Sequence, residues 1–78
     1  MSLKMKVTPA RNKGAVVEGE PWWVINCGAK PPRVQESHTT LERAERACNT
    51  LQHHDNRNGY RSDYQAWRKS ECQLVNKY

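Results

Sequence analysis

One amphipathic pattern organises the chain: residues 39–54 read TTLERAERACNTLQHH. The apolar positions recur at the spacing of a single helical face, namely Leu41, Ala44, Cys48 and Leu51. Thr39 is a favourable N-cap, and Glu42 three residues later completes a capping box. The pattern predicts a helix over about 40–54, ended by the turn residues that follow, with both leucines buried against a sheet.

A strand is predicted before this helix at Trp22–Cys27, where aromatic and β-branched residues run up to Gly28. A shorter and more polar strand is predicted at Arg33–Ser37, typical of a sheet edge. Because neighbouring residues of a strand face opposite sides, one of Trp22 and Trp23 enters the core beneath the helix. The other lies on the far face, where the N-terminal arm, a second copy of the chain or a target must cover it.

The stretch from Tyr60 to Tyr78 supports two interpretations. Alternating side chains favour strands at about 64–69 and 72–76. A helical spacing of Tyr60, Tyr64, Trp67 and Leu74 is the alternative, but it places Glu71 in the apolar stripe. A third strand also closes a small sheet better than a hairpin alone. We therefore expect an α+β domain over residues 21–78, with order ββαβ(β): a small antiparallel sheet and one amphipathic helix packed on one face.

Residues 1–20 are expected to form a basic, flexible arm. Its cations are Lys4, Lys6, Arg11 and Lys13, and no acidic residue precedes position 14. Pro9 and the polar residues after it argue against a long strand, although Leu3, Met5 and Val7 alternate with lysines.

Composition bounds the function. The chain has 78 residues, 36% of them hydrophobic, and a formal net charge of +5, so a large enzyme core is excluded. The longest apolar run, Trp22–Ile25, is too short for a membrane span. The three cysteines and three histidines of the chain lack the spacing of metal ligands, and the odd number of cysteines makes a poor disulfide framework. We expect a cytoplasmic protein with no cofactor and no metal.

The segment 57–69 interleaves cations with aromatic residues. The candidate partner-binding residues in it are Arg57, Tyr60, Arg61, Trp67, Arg68 and Lys69. Such a mixture suits phosphate contact with base stacking, and it suits a protein-binding hot spot equally well. The structural alternative is that the aromatic rings belong to the core while the arginines are solvated.

The succession of elements over residues 20–70 resembles that of short phage and mobile-element proteins, including some anti-CRISPR proteins: strand, loop, short strand, the helix beginning TTLERAERA, a Gly59-Tyr60 turn and a last strand. The resemblance implies a stoichiometric binder that inhibits or adapts a host complex. It carries no functional residue over. We therefore expect a non-enzymatic protein that binds nucleic acid or a nucleoprotein complex. The alternative is a protein-interaction module or homodimer that uses an exposed Trp/Tyr face.

Overall fold

The central strand of the protein is Trp22–Asn26 in the computed structural model, which describes residues 4–75. The strands are β1 (Met5–Val7), β2 (Trp22–Asn26), β3 (Arg33–His38), β4 (Tyr64–Arg68) and β5 (Cys72–Leu74). The helix α1 spans Leu41–Arg57. Strand β2 pairs antiparallel with both β3 and β4, while β1 pairs in parallel with β5. The α+β class, with one helix packed against an antiparallel sheet, is therefore as predicted.

Helix α1 differs from its prediction at both ends. Thr40 rather than Thr39 is the N-cap, because its Oγ1 accepts a hydrogen bond from the Arg43 backbone N–H at 3.2 Å. The third helical residue is then Arg43 rather than Glu42, so the predicted capping box is wrong. At the other end the helix continues to Arg57, and Gly59 then reverses the chain with a φ of +76°. This left-handed conformation favours glycine, which explains why the helix ends here.

The stretch after the helix is extended, so the helical alternative for it is wrong. Strand β4 lies within the predicted 64–69. Strand β5 lies within the predicted 72–76, whose last residue is outside the described range. However, β5 does not extend the three-stranded sheet. It pairs with β1, and Val7 stands opposite Leu74 in that ladder.

The two faces of β2 lead to two separate cores. On the helix side, Val24 packs with Ala44 and Cys48 of α1, and the half-buried Trp22 lies against them. On the far side, Trp23 and Ile25 pack with Val7, and this core is completed by Val34 and Cys72. The prediction that the two tryptophans face opposite ways is confirmed, and Trp23 is the one on the far face.

The far face is covered by the chain itself. Trp23 is only 5% exposed, and Val7 of β1 is fully buried beside it. Beyond β1, Thr8 bridges to β3: its N–H donates to the Pro32 carbonyl at 2.8 Å, and its carbonyl accepts from the Val34 N–H at 3.0 Å. The predicted arm therefore contributes residues 5–8 to the core of the body, and Trp23 offers no exposed aromatic face.

Helix α1 lies over β2 and β4 more closely than over β3. A cavity of about 530 Å³ remains between α1 and β3, and polar Glu36 and His38 line it. The buried stripe of α1 is correspondingly narrow. Ala44 and Cys48 are buried and Leu51 is half-buried, but Leu41 is 40% exposed. The prediction that Leu41 is buried is therefore wrong.

Candidate functional site

Two loops meet at one end of the sheet. Residues 27–32 connect β2 to β3, and residues 58–63 connect α1 to β4; we call this region the loop end. The Cys27 backbone N–H donates to the Asp63 carbonyl at 2.7 Å. A Cβ atom at Gly28 would lie 2.9 Å from the Arg61 carbonyl oxygen, too close for any other residue without displacement of the backbone. Gly28 therefore permits the close approach of the two loops.

Asp55 ties the end of α1 to the second of these loops. Its Oδ2 accepts hydrogen bonds from Ser62 Oγ at 2.5 Å and from Tyr64 Oη at 2.8 Å. Its backbone carbonyl accepts from the Tyr60 N–H at 2.9 Å. The hydrogen bonds from Ser62 and Tyr64 lower the pKa of the Asp55 carboxyl below its ordinary value. Asp55 thus fixes the backbone that carries Tyr60.

The same carboxylate also accepts from His54 Nδ1 at 3.2 Å, which places a serine, a histidine and an aspartate together. The hydrogen bonds among these three residues do not follow the order of a catalytic triad. In a triad the serine hydroxyl donates to the histidine, whereas Ser62 here donates directly to Asp55. The arrangement fits a structural clamp. Sequence reasoning missed it, since Asp55 has no signal beyond that of a residue ending a helix.

A cleft of about 490 Å³ opens at the loop end. Its walls come from the N-terminal segment, from β3 and from the end of α1 with the loop after it. The residues that dominate its chemistry are Arg11, Arg33, Glu36, Asp55, Tyr60 and Tyr64. Tyr60 is 63% exposed, so its ring is available to a ligand. Arg11 and Arg33 are 22 positions apart in the sequence, and the Thr8–Arg33 bridge brings them together.

The carboxylates of the cleft have hydrogen-bond donors beside them, whereas its arginines have no carboxylate partner. Glu36 is paired with His38 Nε2, and Asp55 with Ser62 and Tyr64. Among the lysines and arginines of residues 4–75, Arg46 alone has a described carboxylate oxygen within 4.0 Å, that of Glu42. Arg11 and Arg33 are therefore free to meet an anionic ligand.

The structure divides the predicted partner-binding residues between two places. Arg57, Tyr60 and Arg61 belong to the loop end. Arg68 and Lys69 follow at the other end of β4, about 13 Å away for a strand of this length. Trp67 belongs to neither end of the sheet. It is half-buried and packs against the far-side core, and its Nε1 donates to Gln65 Oε1 at 3.1 Å.

The arm cations are divided as well. Arg11 reaches the cleft, whereas Lys4 and Lys6 are exposed on and beside β1. Lys13 lines a separate cavity of about 270 Å³ above Trp23. Arg33, which sequence reasoning did not select, belongs to the cleft in place of these lysines. A cation in a predicted edge strand gives no signal of its own.

The opposite end of the sheet, formed by residues 18–22, 39–43 and 68–71, has a different character; we call it the helix-start end. The guanidinium of Arg68 lies over the Trp22 ring, 5.0 Å from its centroid. Acidic residues accompany the cations there: Glu18, Glu20, Glu42 and Glu71. The two ends thus differ in charge balance, since acidic residues outnumber the cations at the helix-start end and do not at the loop end.

The thiols offer no activated nucleophile. Burial raises the pKa of Cys48 and of Cys72 to about 11, and burial likewise raises the pKa of Cys27. Within residues 4–75, no three His, Cys, Asp or Glu side chains are grouped closely enough to hold a metal ion. In the same part of the chain, no helix has the length and apolar character needed to cross a bilayer.

Comparison with known proteins gives no significant match to a family model, a curated protein or a solved structure. The resemblance to phage accessory proteins therefore stays a prediction, and the site must be interpreted from its own geometry.

Proposed function

We propose that this chain is a non-enzymatic nucleic-acid-binding protein and that the cleft at the loop end contacts the phosphate backbone. Its action would be stoichiometric, on free nucleic acid or on a nucleoprotein complex. The three free thiols fit a reducing compartment, and we place the protein in the cytoplasm.

One observation carries the proposal: two arginines from distant parts of the chain converge beside an exposed tyrosine, and neither has a described carboxylate partner. Arginine is well suited to phosphate, because its planar guanidinium can donate two parallel hydrogen bonds. Arg57 at the end of α1 and Arg61 in the loop after it add positive charge to the same end of the sheet, outside the lining of the cleft. Phosphate contacts of this kind supply most of the affinity of sequence-independent nucleic-acid binding.

A second candidate function is self-association or protein binding through an apolar strip. Leu74 at the end of β5 is 46% exposed, and Val75, the next residue, is 43% exposed. Trp23 no longer supports this alternative, because β1 covers it. Salt separates the two functions, since apolar association does not weaken steeply as salt rises, whereas phosphate binding does.

The test uses two double variants with the same loss of charge. Arg11→Gln with Arg33→Gln removes two cations from the cleft, and Arg68→Gln with Lys69→Gln removes two from the helix-start end. We expect the first to bind a DNA oligonucleotide at least about tenfold more weakly, with a salt slope smaller by about two units. The second should bind nearly as the parent protein does.

Binding is measured by fluorescence anisotropy over a salt series, with the DNA supplied both single-stranded and as a duplex. Equal losses in the two double variants would contradict a localised site. No salt-dependent binding by the parent protein would refute the function itself. Circular dichroism of each variant verifies that it is folded.

A further inference from the structure

Resting on the proposed function, we infer that the cleft accepts one unpaired nucleotide of a single strand, with its base stacked on Tyr60 and its flanking phosphates against Arg11 and Arg33. The ligand class is therefore single-stranded DNA or RNA rather than a duplex.

Tyr60 is built as a fixed platform. Its backbone N–H is held by the Asp55 carbonyl at 2.9 Å, and Gly59 before it makes the left-handed turn. The ring itself is 63% exposed on the rim of the cleft. An aromatic ring on a fixed backbone stacks on a base at low entropic cost, and every base offers the required face.

The geometry of the cleft selects against paired bases. In a duplex the faces of each base are covered by its neighbours, so a ring can stack only on a base that has left the helix. Extruding that base costs a few kcal/mol, whereas a single strand exposes base faces freely. The cleft volume of about 490 Å³ also falls within the range of sites for small ligands, about 300–1,000 Å³. One nucleotide is a ligand of that size class.

Helix α1 is not placed to read a duplex groove. A recognition helix presents cations and polar side chains to the bases from its N-terminal part. Here the helix directs its C-terminus toward the loop end, with the carboxylate of Asp55 in its last turn. Its first turns carry two exposed acidic residues, Glu42 and Glu45, beside the exposed Arg43 and Arg46, so this part of the helix has no net positive charge. The cations of the cleft come instead from the N-terminal segment and the start of β3.

The lining of the cleft includes residues that can hydrogen-bond a nucleobase. Asn12, Asn26 and Gln35 line it together with the two arginines. The Oδ1 atoms of Asn12 and Asn26 already accept backbone hydrogen bonds, so these two residues can offer their amide N–H groups to the acceptor atoms of a base edge. A site for a lipid headgroup or for free phosphate would need the cations but neither the amides nor an exposed ring.

The test compares single strands with a duplex in the intact protein. The probes are fluorescein-labelled oligonucleotides of about 12 residues, a length within the usual range of single-strand sites. They are oligo(dT), oligo(U) and a mixed-sequence DNA in single-stranded and duplex form. We expect each single strand to bind at least about tenfold more tightly than the duplex. The DNA and RNA arms show which backbone is preferred.

The stacking role is tested by Tyr60→Ala with Tyr60→Phe as its matched control. The alanine variant should lose about tenfold or more in affinity for single strands, because it removes the ring. The phenylalanine variant should bind within about twofold of the parent protein, because it keeps the ring and loses only the hydroxyl. Thermal unfolding should be nearly unchanged in both, as the side chain is mostly exposed.

Different results would refute the single-strand inference and the proposed function on which it rests. If the duplex binds as tightly as the single strands and the Arg11/Arg33 variant still loses affinity, the single-strand inference is wrong and the proposed function stands. If Tyr60→Ala binds single strands as the parent does, stacking is refuted. If no oligonucleotide binds in a salt-dependent manner, both are overturned.

Discussion

The loop end and the helix-start end are built from similar residue types, but their charges have different neighbours. At the helix-start end, the Arg68 guanidinium lies over the Trp22 ring. The Glu71 carboxylate accepts a hydrogen bond from the backbone N–H of Arg68 at 3.3 Å. At the loop end, the cations face an open cleft, and the carboxylates are held by hydrogen-bond donors. The guanidinium of Arg68 is therefore occupied by an aromatic ring, whereas Arg11 and Arg33 line an open cleft.

Availability of this kind is not visible in a run of sequence. Segment 57–69 is continuous in the chain, yet β4 separates its two halves and turns Trp67 into the far-side core. The proposed interface is formed instead by Arg11, Arg33 and Tyr60, which are remote from one another in sequence but line one cleft. Variants that remove the difference between the two ends therefore test whether the loop end is the binding site.

The largest effect on stability is expected from Val7→Ala, which tests whether β1 fixes Arg11 at the loop end. Val7 is fully buried between Trp23 and Cys72. Removing two methyl groups there should lower the free energy of unfolding by about 2–3 kcal/mol. The measurement is urea denaturation followed by tryptophan fluorescence.

Lys6→Ala is the matched control, because Lys6 is the exposed neighbour in the same strand. It should change the free energy of unfolding by less than about 0.5 kcal/mol. If Val7→Ala is equally neutral, residues 1–20 form a loose arm as the sequence suggested. Arg11 would then have no fixed place, and the two ends would no longer differ as described.

Local sequence patterns predicted much of the fold, but they did not predict which strands pair over long distances in the chain. The periodicity of Ala44, Cys48 and Leu51 and the aromatic strand Trp22–Asn26 placed α1 and β2 nearly where they lie. In contrast, β1 and β5 have three residues each and lie near opposite ends of the chain. A strand at 72–76 was predicted and the alternation at Leu3, Met5 and Val7 is visible in the sequence, but nothing local indicates that these two strands pair with each other.

The site was predicted less well, for a related reason. Tyr60 and Arg11 were selected because each lies in a segment rich in cations. Arg33 was not selected, since its role depends on the bridge between Thr8 and β3. The error at Leu41 has a different cause: Leu41 lines an open groove between α1 and β4, so its side chain stays partly exposed. Both errors, at Arg33 and at Leu41, come from how the elements pack against one another, which the local sequence does not reveal.

A smaller effect is expected from acid, and it should arise at the loop end. Because Ser62 and Tyr64 lower the pKa of Asp55 in the folded protein, its ionised form stabilises the fold. This contribution is complete above the unfolded pKa, about 3.9, and is lost as the pH falls through the lower folded pKa. Asp55→Asn should therefore be less stable than the parent at pH 7, and the difference should shrink below about pH 4.

Glu71→Gln provides the comparison from the other end, where the exposed carboxylate accepts one backbone hydrogen bond. Its stability should follow the pH profile of the parent protein closely. The measurement is thermal unfolding by circular dichroism from pH 2 to pH 7. An Asp55→Asn profile parallel to that of the parent would show that the clamp at the loop end does not depend on the charge.

The central claim is that the loop end, and not the helix-start end, meets a single strand. The most direct measurement is a ¹H–¹⁵N NMR titration of the intact protein with oligo(dT) at low salt. We expect the amide signals of Arg11, Arg33, Tyr60 and the 58–63 loop to shift progressively, while those of Arg68 and Lys69 stay in place. Shifts confined to Arg68, Lys69 and the start of β2, or no shifts at all, would contradict it.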